Sequence, residues 1–134
     1  MGRELRLEDL VVWQLACQLE DGVIELVQRT SAARDFRFAN QVTDAATDVA
    51  SDVSEGFHRF RAAEFANFLR YARASLAETE KRLRTGVKKR HFTDADIEPL
   101  LVLARRLGKA LMNFERYLLR KAAEKKQRER RRLT

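Results

Sequence analysis

Between Ile97 and Leu118 the apolar residues Ile97, Leu100, Ala104, Leu107, Leu111, Phe114 and Leu118 fall at alternating steps of three and four. A seam of that period follows one side of an α-helix and cannot follow a strand, whose side chains change face at every residue. Three earlier segments carry related spacings. Segment one, about Leu7 to Gln28, has two apolar rows, one of Val12, Ala16, Leu19, Val23 and Leu26, the other of Leu10, Trp13, Cys17, Ile24 and Val27. Segment two, about Arg37 to Ser54, places Phe38, Val42, Ala45, Ala46, Val49 and Val53 on one face, with Gly56 as its expected stop. Segment three, about Ala62 to Lys88, is buried along Phe65, Phe68, Leu69, Ala72, Leu76, Leu83 and Val87. The single proline, Pro99, fits segment four if Asp96 is its N-cap, because in the first turn a missing amide hydrogen costs little.

Ala, Glu, Lys, Leu and Arg supply 74 of the 134 residues, above the roughly one half typical of long-helix chains. The expected class is therefore all-α. Connections of about 5–9 residues favour antiparallel neighbours and an up-down-up-down four-helix bundle. Residues 1–119 form that bundle domain, and residues 120–134 are a basic C-terminal extension of the last helix or a tail. No apolar run approaches the roughly 18 residues that span a bilayer, and the charged start "MGRELRLEDL" lacks the apolar centre of a signal peptide. A cytoplasmic protein without membrane contact is expected.

Segment one sets a further requirement. One of its rows can face its own bundle, but a monomer would leave the other in water, so copies are expected to close around one another as a ring-like homo-oligomer. Leu10, Trp13, Cys17, Ile24 and Val27 are the candidate interface. Asp44, Asp48 and Asp52, spaced by four, form a solvated helix face or meet Arg70 and Arg73, or Lys81 and Arg84, of a neighbouring subunit, where they would set register more than affinity.

Charge is unevenly spread. Residues 1–56 carry a balance of −6 and residues 57–134 one of +13, which together give the net +7. One acid-free cluster is Lys81, Arg82, Arg84, Lys88, Lys89 and Arg90; a second is Arg120, Lys121, Lys125, Lys126, Arg128, Arg130, Arg131 and Arg132, interrupted only by Glu124 and Glu129. Such patches concentrate polyanions and speed encounter with them, which makes these residues the candidate nucleic-acid contacts. A terminal charge run also serves simply as a solvated tail, and cations complement a helix carboxyl end.

Catalytic chemistry finds little to work with. Glu55 and His58 match the Glu-x-x-His spacing of di-iron bundles once, but the second motif is missing, and His91 is preceded three positions earlier by Lys88. No metal or other cofactor is expected. Cys17 lies within an apolar row, as a small hydrophobe does, and the two histidines do not obviously provide it with a base. There is no Gly-x-x-x-x-Gly-Lys loop, Gly-x-Gly-x-x-Gly or Gly-x-Ser-x-Gly. Trp13 and Tyr71 are expected as core or interface anchors, one Trp and two Tyr being too few for an aromatic-lined strand groove. An enzyme is not expected.

"DLVVWQLA" at Asp9 to Ala16, "FANQVTDAA" at Phe38 to Ala46, "VSEG" at Val53 to Gly56 and "EFANFLRYARASLAETE" at Glu64 to Glu80 follow one another on successive helical segments. In this order they resemble the small bacterial four-helix bundle proteins encoded in intervening sequences of large-subunit ribosomal RNA genes, whose relatives include the accessory variability determinant of diversity-generating retroelements. The resemblance covers about residues 8–118. The chain departs from the family pattern at Asp48 and Asp52, where Ser and Asn are usual, and at Ala74-Ser75, where Gly-Ser is usual. What the resemblance implies is a ring-like homopentamer without known catalytic activity; the retroelement relative uses a basic surface to bind nucleic acid and a reverse transcriptase. The expected function is a non-enzymatic homo-oligomer that binds RNA or DNA through basic surfaces with little sequence preference. The competing expectation is a scaffold for a partner protein such as a reverse transcriptase.

Overall fold

The computed structural model describes residues 5–134, so the first four positions of the charged amino terminus lie outside the described residues. Four α-helices account for most of the chain: α1 Val11–Gln28, α2 Phe36–Phe57, α3 Ala62–Lys88 and α4 Asp94–Leu133. There is no strand among the described residues.

Their apolar rows meet in one core. Leu19, Val23, Val42, Val49, Val53, Leu69, Leu83, Leu107 and Leu111 are sealed from solvent, and the fully buried Thr79 hydroxyl is satisfied by donating to the Ser75 carbonyl at 2.8 Å. The contacts sort the helix ends into two groups. At one end Phe57, at the close of α2, meets Phe65, early in α3, and Phe65 stacks edge-on against Phe114, late in α4, with ring centroids 5.1 Å apart. The start of α1 joins them, since Leu10, Val11 and Val12 share a groove with Ala110, Asn113 and Phe114. At the other end Phe38, early in α2, meets His91 and Phe92 just before α4, and Arg29, after α1, reaches Asp96 at 3.5 Å.

Several boundaries differ from the sequence reading. Segment one begins with a short 3-10 turn, Leu7–Asp9, and the α-helix starts only after the extended Leu10. Gly56 does not end α2. It lies buried one residue inside the terminus, because a side chain there would collide with Phe65 and with the Cβ of Phe68; the glycine permits close approach rather than a turn. The N-cap of α4 is Thr93, not Asp96. The Thr93 hydroxyl accepts the Asp96 amide at 3.0 Å and the Asp96 carboxylate accepts the Thr93 amide at 2.8 Å, a reciprocal capping box. Pro99 consequently sits in the second turn rather than the first, and it offers no amide hydrogen to the carbonyl of Ala95, an exposed residue.

The seam that ends at Leu118 does not end its helix. α4 runs for 40 residues to Leu133, and beyond Leu118 every side chain except Ala122 is exposed. The stretch from Leu119 to Leu133 is therefore an extension of the last helix, about 22 Å of rod that no other element supports.

Candidate nucleic-acid interface

The two basic clusters are built into opposite ends of the molecule. Arg120 and its successors project from the end where Phe57, Phe65 and Phe114 stack, whereas Lys88, Lys89 and Arg90 sit at the carboxyl end of α3 beside Phe38. Along α3 the interval from Phe65 to Val87 is about 33 Å. The clusters cannot act as one patch on a single molecule.

Within the α3 cluster the side chains divide. Lys81, Arg84, Lys88 and Arg90 are exposed. Arg82 is half-buried and donates to Gln41 Oε1 and to Glu78 Oε1, both at 3.3 Å, while its Nε is buried without an acceptor. Lys89 bonds the Asp35 carboxylate at 2.7 Å and lies over the Phe38 ring, 5.5 Å from its centroid. Those two cations hold the fold together at this end, which leaves four for a polyanion.

On α4 the structure brings together more than the sequence reading found. Arg105, Arg106, Lys109 and Arg116 are all exposed on the helix face opposite the apolar seam, ahead of Arg120. At 100° per residue, Arg106, Lys109, Arg116, Arg120 and Arg131 fall within an arc of about 80°, and the interval from Arg105 to Arg131 is about 39 Å. Among the described residues two acids share this face, Glu98, 3.8 Å from Arg105, and the exposed Glu124, one turn past Arg120. Glu115 lies off this face, beside the apolar seam, and is held by Arg73 at 2.9 Å. In the extension Lys121 approaches Glu124 at 3.9 Å, and Lys125, Lys126, Arg128, Arg130, Arg131 and Arg132 make no ion pair among the described residues. The signal for the missed cations was present: they occupy the positions between the seam residues, three and four apart, which only a helical projection lines up.

The proposed interface residues of α1 are also divided. Leu10 and Val27 are each 8% exposed and belong to the molecule's own core, whereas Trp13, Cys17 and Ile24 are half-buried and Val11 is 59% exposed. The unsatisfied apolar face is narrower than the five-residue row suggested. Trp13 lines a groove of 390 Å³ between α1 and α2, together with Glu20, Thr47, Ala50, Ser51, Ser54 and Glu55. Burial, helped by Glu20 and Asp21, pushes the Cys17 thiol up, away from the thiolate a nucleophile needs.

In the acidic row Asp44 and Asp48 are exposed, without an ion pair among the described residues, while Asp52 turns toward α3 and accepts the Ser75 hydroxyl at 3.4 Å. Burial raises the Asp52 carboxyl, with Asp48 and Glu55 adding to the rise and the Ser75 hydrogen bond opposing it. Arg73 is committed to Glu115 and Arg70 donates to Asn67 at 2.7 Å, so these arginines have partners within the chain. The Glu55 and His58 pair does not converge: Glu55 bonds Arg59 at 3.2 Å, and the His58 ring bonds the Ser54 carbonyl oxygen at 2.7 Å.

One polar cluster had no signal in the sequence. His91 Nδ1 lies 2.8 Å from Ser31 Oγ, and its Nε2 lies 2.8 Å from Asp35 Oδ2. The order serine, histidine, aspartate is that of a hydrolase triad. Here, however, Asp35 is also the N-cap of α2, accepting the Phe38 amide, and it shares its oxygen with Lys89. Hydrogen bonds from Lys89 and then His91 hold its carboxyl down to about 2, together with the Phe38 amide and against a smaller upward push from burial. The cluster ties the α1–α2 connection to the α3–α4 connection.

Four helices around a single apolar core, with cations gathered along the outside of the longest, define a small helical bundle with a basic outer face. The chain matches the 23S rRNA-intervening sequence protein family over residues 8–113 and belongs to that family. No curated protein matches it. No helix among the described residues is long and apolar enough to cross a membrane.

Proposed function

We propose that this protein is a non-enzymatic, cytoplasmic homo-oligomer that binds RNA or DNA with little sequence preference along the outer face of α4 and its extension. The observation that carries the reading is the cation row Arg105, Arg106, Lys109, Arg116, Arg120 and Arg131, which spans about 39 Å and outnumbers the two carboxylates on its face, Glu98 and Glu124. Phosphate contacts of this kind position a nucleic acid without reading its bases. Copies of an up-down-up-down bundle would close into a ring through the residual apolar face of α1, formed by Val11, Trp13, Cys17 and Ile24. The unpaired Asp44 and Asp48 would then face cations of the next copy. The copy number of five is what the family resemblance implies.

The test is binding of fluorescent RNA and DNA of mixed sequence at several salt concentrations, using the full chain, a chain ending at residue 119 and the triple variant Arg106→Gln, Lys109→Gln, Arg116→Gln. On duplex DNA the logarithmic salt slope should fall by about 0.9 for each phosphate that a variant no longer neutralises. An intact chain that forms no complex at about 50 mM salt would discard the reading. A second reading, a scaffold for a partner protein such as a reverse transcriptase, draws on the half-buried Trp13 and its groove, and predicts that Trp13→Ala abolishes capture of that purified partner while nucleic-acid affinity stays unchanged.

A further inference from the structure

The most exposed aromatic ring among the described residues lies outside every apolar row. Phe60, in the turn between α2 and α3, is 103% exposed, so neither of its faces is covered by the fold. Arg59 and Arg61 flank it. Arg59 is fixed in place, its guanidinium 4.7 Å from the centroid of the Phe68 ring and 3.2 Å from Glu55, while Arg61 is exposed and makes no ion pair among the described residues. Behind the turn Phe68 stacks edge-on against the half-exposed Tyr71, with centroids 5.6 Å apart. A groove of 260 Å³, lined by Ala63, Glu64, Asn67, Arg70, Glu115 and Leu119 among others, leads from the start of α3 to the point where the α4 extension leaves the bundle. Of its two carboxylates, Glu115 is neutralised by Arg73 and Glu64 remains exposed.

We propose that Phe60 is a stacking platform for an unpaired base, and that the α2–α3 turn makes this end of the molecule selective for single-stranded nucleic acid. The inference rests on the reading of α4 as a phosphate track, and it names the substrate class for that track. A cation on each side of one open ring matches the alternation of phosphate and base along a single strand. In a duplex the bases are already stacked on one another and offer their faces only at the ends, whereas an unpaired base has a face free for a protein ring. Arg61 would take the phosphate beside the stacked base, and the strand would cross the groove to Arg116 and Arg120, which are exposed and make no ion pair among the described residues.

Fluorescence anisotropy with a 12-nucleotide oligo-dT and with a 12-base-pair duplex, at one fixed salt concentration, tests this on the full-length protein. The intact chain should favour the single strand. Phe60→Ala should weaken oligo-dT binding by about 5- to 150-fold, the range of one base–aromatic stack, with duplex affinity and the salt slope unchanged. Phe60→Trp should retain the affinity, and its indole fluorescence should be quenched on adding oligo-dT. Because the ring packs against nothing, thermal melting should confirm that both variants fold like the intact chain. Unchanged oligo-dT binding by Phe60→Ala, or an equal loss on duplex, would overturn the proposal and leave the α4 track standing. No binding of either probe by the intact chain would remove the track itself, and this inference with it. If Phe60→Ala instead lowers sedimentation with phosphatidylserine vesicles, or changes the sedimentation coefficient of the protein alone, the ring serves a lipid surface or a second copy, and the proposal fails.

Discussion

Arg90 holds the only positive φ found at a non-glycine residue among those described, 65°. It follows Lys89, the C-cap of α3, and stands where helices most often place glycine. The surrounding hydrogen bonds complete a Schellman motif: the His91 amide donates to the Gly86 carbonyl and the Arg90 amide to the Val87 carbonyl, both at 2.9 Å. This left-handed conformation costs an arginine about 1–2 kcal/mol, from its Cβ pressing on the following carbonyl oxygen. The Arg90 side chain is exposed and, among the described residues, makes no contact that would offset the cost. Arg90→Gly removes the strain and leaves the motif's backbone bonds intact. Glycine also has more freedom to lose on folding, worth about 0.4–1 kcal/mol, so the net gain should be about 0.5–1 kcal/mol. At roughly 2.1 cal/mol/K of unfolding entropy per residue, a chain of 134 residues should then melt about 2–4 °C higher. Circular dichroism melting at 222 nm reads the shift. Arg90→Ala is the control, since alanine keeps the Cβ and the strain and should give no comparable rise. A Tm for Arg90→Gly equal to or below that of the unaltered chain would refute the argument.

Two further substitutions probe the packing and the acidic row. At Gly86 an added Cβ would overlap the Phe92 ring and crowd Phe38, so Gly86→Ala should cost a net of about 1–2 kcal/mol in urea unfolding, the overpacking outweighing the gain in helix propensity; unchanged stability would mean that the two rings yield freely. Asp52 has a raised carboxyl pKa in the folded state, so its contribution is fully present below the unfolded value near 3.9 and is lost as pH rises through the folded value. Asp52→Asn, which can still accept the Ser75 hydroxyl, should therefore raise Tm at pH 7 and leave it nearly unchanged at pH 3; a gain that persists undiminished at pH 3 would show that the cause is not ionisation.

How far the sequence disclosed the molecule depended on whether a feature was periodic, local or assembled by folding. The limits Ala62–Lys88 of α3 agree with the sequence expectation because an apolar row with a defined spacing fills that stretch. Gly56 misled because glycine serves two purposes, release of the backbone and close approach, and only the positions of Phe65 and Phe68 show which applies. The start of α4 misled for a related reason. Thr93 and Asp96 are both good capping residues three apart, and in a capping box the first is the cap and the second its partner. Phe60 carries no periodic signature, because it belongs to no apolar row.

Charge required the most folding information. Read as runs along the chain, residues 81–90 and 120–132 look like two parts of one basic half. Yet the chain turns back at His91 and Phe92, whose contacts with Phe38 fix the first run at one end of the bundle, while the Phe65–Phe114 stack places the root of the second at the other. The charges that do form a line, Arg105, Arg106, Lys109 and Arg116 leading into Arg120, are never adjacent for more than two residues and so make no run at all. A linear count weights the exposed extension heavily and overlooks the cations at intervals along a packed helix. Those cations matter more for orientation: the bundle fixes the face they occupy, while beyond Leu118 the cations spread around an unsupported rod. The fixed row can set how a phosphate backbone lies on the protein, and the extension can add attraction without specifying a direction.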